Sequence, residues 1–140
     1  MQMIFNIPNP YPNIRHVFVY GTLRKGDSND ITKLTPAPVF MGNAEILGDM
    51  YNLGAYPGVI LGGSNLILGE VYAITEPLER ILDGIESEYP AQSNEYFKRD
   101  IQVLVNEELL DCIVYEINAT YVQGKPQINS GNWLKKFGEK

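Results

Sequence analysis

Hydrophobic and polar positions alternate in several distinct rhythms along this chain. Val17-Phe18-Val19-Tyr20 is a short continuous apolar run, read as a strand over 16–20 that is covered on both faces. Val39–Leu47 and Leu66–Ile74 read as two more strands, with Gly69 inside the second marking a bulge or a close backbone approach. Between them the glycines and the proline of Gly54–Gly63 punctuate one further short strand. Phe97–Val105 and Leu110–Ile117 pair as a hairpin around Asn106–Leu109.

One stretch has a different period. In Thr75–Glu88, Leu78, Ile81, Leu82 and Ile85 recur at i, i+3, i+4 and i+7, the stripe of an amphipathic helix. Thr75 is the expected cap, and Pro77 is tolerated in the first turn. A shorter helical turn is expected at Ile31–Leu34, capped from Asp27–Asp30 and stopped by Pro36 and Pro38. Residues 1–15 read as an extended leader, 16–134 as one domain, and 135–140 as a short tail; the chain from Thr120 onward reads as loop. Strands with one good helix predict a single compact α+β domain.

Composition narrows the chemistry. The chain has 140 residues, 44% of them hydrophobic and 20% charged, enough for a real core. The net charge of −6, with Lys and Arg scattered, argues against a nucleic-acid surface. No apolar run approaches the roughly 20 residues of a membrane span. There is no basic start or apolar core for a signal peptide, so a cytoplasmic location is expected. Cys112 and His16 are the only residues of their types, so no Cys/His zinc set can be built and no metal or cofactor is expected. Cys112 lies in an apolar run and reads as a core residue.

Gly21–Gly26 has the G-x-x-x-x-G frame of a phosphate loop and follows a strand, but Asp27 stands where lysine is required, which argues against nucleotide binding. Such a turn can still offer backbone donors to a carboxylate or carbonyl oxygen. On the helix, Arg80 and Asp83 are expected to point away from the apolar stripe. Glu86 lies at one edge of the stripe and Glu88 near the other. A half-desolvated carboxylate suits proton transfer, and the helical period does not choose between the two.

Four stretches, in order, resemble the gamma-glutamylcyclotransferase-like superfamily, in particular its AIG2-like branch. They are Val17–Gly26 with its Tyr20-Gly21-Thr22-Leu23; Tyr56-Pro57-Gly58-Val59 followed by Gly69-Glu70-Val71-Tyr72; Leu82-Asp83-Gly84-Ile85-Glu86; and Tyr96–Val103 with a Ser130-Gly131-Asn132-Trp133 ending. Lys98 stands at the usual arginine position, with Arg99 beside it, and Ser87 replaces a frequent glycine. The resemblance implies a small β-barrel core with flanking helices. It implies that Tyr20, Gly21, Thr22 and Leu23 hold a small γ-glutamyl substrate, that Glu86 is the catalytic acid/base, and that Arg24–Gly26 only leads out of the pocket. The implied reaction is attack of the substrate's α-amine on its γ-carbonyl, releasing 5-oxoproline and an amine. The alternative is a non-catalytic binding protein of the same fold. The identity of the leaving amine and the oligomeric state are not encoded in these motifs.

Overall fold

The computed structural model describes residues 14–88 and 94–135, with the side chains of 86–88 outside the described set. Most of the expected leader, 1–13, therefore lies outside it, as do 89–93 and 136–140.

Six strands form one sheet: β1 (Arg15–Val19), β2 (Val39–Asn52), β3 (Pro57–Leu61), β4 (Asn65–Ile74), β5 (Tyr96–Val105) and β6 (Glu108–Ile117). Their order across the sheet is β3-β2-β4-β1-β6-β5. Neighbours are antiparallel except β1 and β6, which run parallel with His16 opposite Cys112. Central β1 has Val17, Phe18 and Val19 all buried, as its continuous apolar run requires. The hairpin of β5 and β6 turns at Asn106 and Glu107, both with positive φ, the two-residue geometry that follows the twist of the strands.

β2 runs five residues past the expected end at Leu47. Gly48 and Asp49 look like turn residues, yet they pair with Leu61 and Ile60 of β3. Gly69, the expected close-approach glycine, lies so near the Val19 carbonyl and the Phe18 ring that a Cβ there would collide with both.

The sheet curls into a half-barrel, bringing β2 against β5 and β3 against β6. Side chains bridge the gap. Asn106 Nδ2 donates to the Met41 carbonyl (3.0 Å), and the Leu61 N–H donates to Glu116 Oε2 (2.9 Å). Phe18, Met50, Val59, Ile67, Val71, Cys112 and Val114 fill the concave side, together with Ile128 and Trp133. Trp133 is 2% exposed, so the C-terminal part expected to be loop supplies core, and includes short 3-10 turns at Ala119–Val122 and Trp133–Lys135.

A second apolar cluster lies on the convex side, where α1 (Glu76–Glu88) packs Leu78 and Leu82 on Val17, Val19, Tyr72, Ile74 and Ile113. Both leucines are fully buried, each worth about 1.5–3 kcal/mol. Ile81 is 39% exposed, so the apolar stripe is narrower than its spacing suggests. The expected side-chain cap is not made: among the described residues the Thr75 hydroxyl has no hydrogen-bond partner, although its carbonyl accepts the Glu79 N–H (2.9 Å). Glu76 and Glu79 complement the helix dipole instead. Among the described residues the flanking helices reduce to this one α-helix and 3-10 turns, of which Ile31–Lys33 is capped by Asp30. Among the described residues no helix is long and apolar enough to cross a membrane.

Candidate active site

Where β1 leaves the sheet, the chain passes into the loop Tyr20–Asp30 and opens a cavity of about 270 Å³. One wall is Tyr20, Gly21, Thr22 and Leu23, with Ser28 and Asn29. A second wall is Tyr56, Pro57 and Tyr96, with the Pro57 ring directly against Gly21, and Tyr115 and Ile85 also line the space. A cavity this small suits a ligand of amino-acid to dipeptide size.

The loop is tied down unevenly. From Arg24 to Ile31 every backbone N–H is used internally. Arg24, Asp27, Asn29, Asp30 and Ile31 donate to loop carbonyls, Lys25 to Glu70, Gly26 to Asp30, and Ser28 to Asp27. The N–H groups of Gly21, Thr22 and Leu23 find no acceptor among the described residues, although all three residues line the cavity. The G-x-x-x-x-G frame is thus not a phosphate cradle: its second half is spent on itself, and Asp27 accepts the Trp133 indole N–H (2.7 Å). The free donors lie in its first three residues, where they can serve a carboxylate or an oxyanion.

Arg24 is not merely a way out of the pocket. It is 8% exposed; its Nε donates to Glu70 Oε2 (2.9 Å) and its Nη1 to Asn132 Oδ1 (2.9 Å). Glu70 Oε1 also accepts from the Lys25 N–H (3.0 Å) and the Tyr72 hydroxyl (2.9 Å). Burial and that carboxylate push the Tyr72 hydroxyl's pKa up, keeping it a donor. Burial alone would raise the Asp30 carboxyl, but hydrogen bonds from the Thr32 side chain and the Gly26 and Thr32 N–H groups hold it below its ordinary value.

Each implied substrate-holding residue has a definite place. Gly21 is required sterically, because a Cβ there would stand 2.7 Å from Cγ of Pro57 on the facing wall. Thr22 Oγ1 accepts from Asn29 Nδ2 (3.1 Å). Leu23 is buried against the α1 side, so it offers backbone rather than side chain to the cavity. Tyr20 lines the cavity with its ring, while its hydroxyl donates to the Tyr115 carbonyl (2.6 Å) and accepts from the Val59 N–H (3.3 Å), spanning the half-barrel. Glu86 lies in the last turns of α1, directly after the cavity-lining Ile85; its side chain and that of Glu88 lie outside the described residues.

The cavity-lining Tyr115 leads to a set of charges outside the lining. The Tyr115 hydroxyl donates to Asp83 Oδ1 (2.6 Å), so Asp83, off the apolar stripe and with its side chain 41% exposed, is still tied to β6. Lys98 Nζ lies 3.0 Å from Asp83 Oδ2 and also pairs with Glu79. Of the two neighbours it is therefore Lys98 that meets α1, sharing Glu79 with Arg15 (3.2 Å), while Arg99 pairs with Glu116 (2.9 Å). Partial burial alone would lower the Lys98 ammonium, but Glu79 and Asp83 raise it above its ordinary value. Burial and nearby Asp111 push the Cys112 thiol up to about 11, so it stays protonated opposite His16 and is a core residue. Among the described residues no three His, Cys, Asp or Glu side chains gather as a metal-ligand set.

This curled mixed sheet with its helix is similar in fold to a solved mouse AIG2-like protein. That structure superposes with a TM-score of 0.66 at 27% identity, over 81% of this chain and 84% of that one. The chain belongs to the family described as gamma-glutamyl cyclotransferase, AIG2-like, which it matches over residues 17–135. It is similar to a gamma-glutamylaminecyclotransferase of Rattus norvegicus, 30% identical over 126 residues, covering 76% of this chain and 79% of that protein. It is also similar to the gamma-L-glutamyl-butirosin B gamma-glutamyl cyclotransferase of Niallia circulans, 34% identical over 94 residues and 66% of this chain. The match spans 58% of that protein's length, and 60% and 48% of similar relatives from Vibrio cholerae and Bos taurus.

Proposed function

We propose that this protein is a γ-glutamyl cyclotransferase. It would convert a small γ-glutamyl amide or peptide to 5-oxoproline and the free amine. The observation that carries this reading is one cavity of amino-acid scale with uncommitted N–H groups at Gly21–Leu23, beside the helix turn that bears Glu86. The N–H groups bind the substrate's α-carboxylate or the oxyanion that forms on its γ-carbonyl. Glu86 accepts a proton from the α-ammonium group, freeing the amine. The amine attacks the γ-carbonyl carbon, and a C–N bond forms as the carbonyl π-electrons move to oxygen. The oxyanion then collapses, the original C–N bond breaks and Glu86 delivers its proton to the departing nitrogen, while the new ring nitrogen gives up its second proton to the freed carboxylate, which passes it to the released amine or to water.

Nucleophile and electrophile belong to one molecule, so most of the rate comes from holding the folded conformer against the tyrosine walls. As drawn, the reaction uses protein groups alone, and it suits a protein of the reducing cytoplasm. The test is 5-oxoproline release over a panel of γ-glutamyl amino acids, Nε-(γ-glutamyl)-lysine and other γ-glutamyl amides. Turnover of at least one by the wild type is expected; turnover of none, with saturable binding of one, would instead mark a binding protein.

A further inference from the structure

Glu95 is 4% exposed and forms no ion pair with any described residue. A buried carboxylate without a cation is costly unless hydrogen bonds hold it. Here the Tyr56 hydroxyl donates to Glu95 Oε2 at 2.6 Å, a short charge-assisted bond. The Glu95 backbone is itself fixed, its carbonyl accepting the Asn118 N–H (2.7 Å). The contacts continue outward. The Tyr56 ring packs at a tilt on Tyr96, with centroids 6.4 Å apart, and the Tyr96 hydroxyl donates to the Pro57 carbonyl (2.8 Å). The Pro57 ring in turn abuts Gly21 across the cavity.

We infer that Glu95 is a positioning residue for substrate binding: acting through Tyr56, it holds the wall opposite the Gly21–Leu23 donors and so sets the width of the pocket. Tyr56 ends the turn Leu53–Tyr56, whose Gly54 and Ala55 are exposed; a bond from the Leu53 N–H to the Tyr56 carbonyl (3.0 Å), an Asn52 side-chain contact to the Gly54 N–H and the pairing of Pro57 with Asn52 fix the same segment. This role deepens the cyclotransferase reading and rests on it for its kinetic consequence.

Glu95→Gln and Tyr56→Phe test the role, singly and together, with melting temperatures checking the fold. For 5-oxoproline release from γ-glutamyl-alanine and Nε-(γ-glutamyl)-lysine, each single variant should raise KM about tenfold with kcat within about twofold, as expected for a lost bond to a charged group. The double variant should be no worse than the worse single one. Amide exchange in the free protein gives a readout independent of turnover. Leu53 and Gly54 should exchange at least about tenfold faster in either variant, with the Arg24–Ile31 amides unchanged. Unchanged exchange at Leu53, additive KM effects, or a fall in kcat at constant KM would overturn the role. A wild type that turns over neither substrate, with the exchange effect present, would leave Glu95 positioning the wall and remove the cyclotransferase reading instead.

Discussion

The two walls of the cavity are built differently. The Tyr20–Asp30 wall is anchored in the molecule's interior: the buried Arg24–Glu70 pair, Asn132, Tyr72 and the self-bonded amides of 24–31 hold it from behind. The Leu53–Pro57 wall is a short turn with exposed Gly54 and Ala55, reached mainly through Tyr56 and Pro57. The difference assigns them different work. The anchored wall can present preorganised donors to a group common to all γ-glutamyl substrates. The second wall, with Gly54 and Ala55 exposed, lies nearer solvent, which under the proposed function suits the part of the substrate that varies.

The largest effect should come from breaking the anchored wall. Arg24→Met leaves Glu70 buried without its cation, a loss of about 3–5 kcal/mol. Thermal unfolding should show a fall in Tm on the order of 10 °C. Adding Glu70→Leu should restore part of it, since removing both charges is less harmful than stranding one. Next comes Gly21→Ala, whose Cβ presses the two walls apart at Pro57. Overpacking of this kind costs about 1–3 kcal/mol. Urea unfolding should register that loss, and substrate KM should rise more than the loss of stability explains.

Asp30 sharpens the contrast by pH. Its carboxyl sits below its ordinary value of 3.8, so it stabilises the anchored wall above that value. That contribution is lost as pH falls through the lowered folded-state value. In acid titrations followed by amide exchange, Asp30→Asn should therefore flatten the pH dependence of the 24–31 amides and leave Leu53 unaffected. The smallest effect belongs to Lys98→Met. Its pairs with Asp83 and Glu79 are partly exposed, so stability should change by no more than about 1 kcal/mol. Cys112, with its thiol pushed up to about 11, should resist alkylation by iodoacetamide at pH 8 without denaturant, and activity should survive the reagent.

Much of this was written in local patterns. The apolar run at 17–20, the period of α1 and the hairpin of β5 and β6 all follow from alternation and turn chemistry. What local pattern could not supply is non-local pairing. Arg24 and Glu70 meet 46 positions apart, and each alone looks like a surface charge. Trp133 sits in a stretch with no strand or helix period, yet it fills the half-barrel because the sheet leaves a space for it. Glu95 carries no strand or helix period of its own, and its burial depends on Tyr56, 39 positions earlier. β2 outruns its apolar pattern because Gly48 and Asp49, residues of turn type, are held in the strand by pairing with β3. The Thr75 cap failed for the complementary reason: the residue type was right, but its hydroxyl found no partner.

The central claim is that the donors of Gly21–Leu23 and the carboxylate of Glu86 act on one substrate. The most direct test measures 5-oxoproline release by the wild type and by Glu86→Gln, on the γ-glutamyl compound that the wild type turns over fastest. Loss of a general acid/base should lower kcat at least about a hundredfold, with the melting temperature and substrate affinity kept. A folded Glu86→Gln protein that releases 5-oxoproline at the wild-type rate would contradict the account.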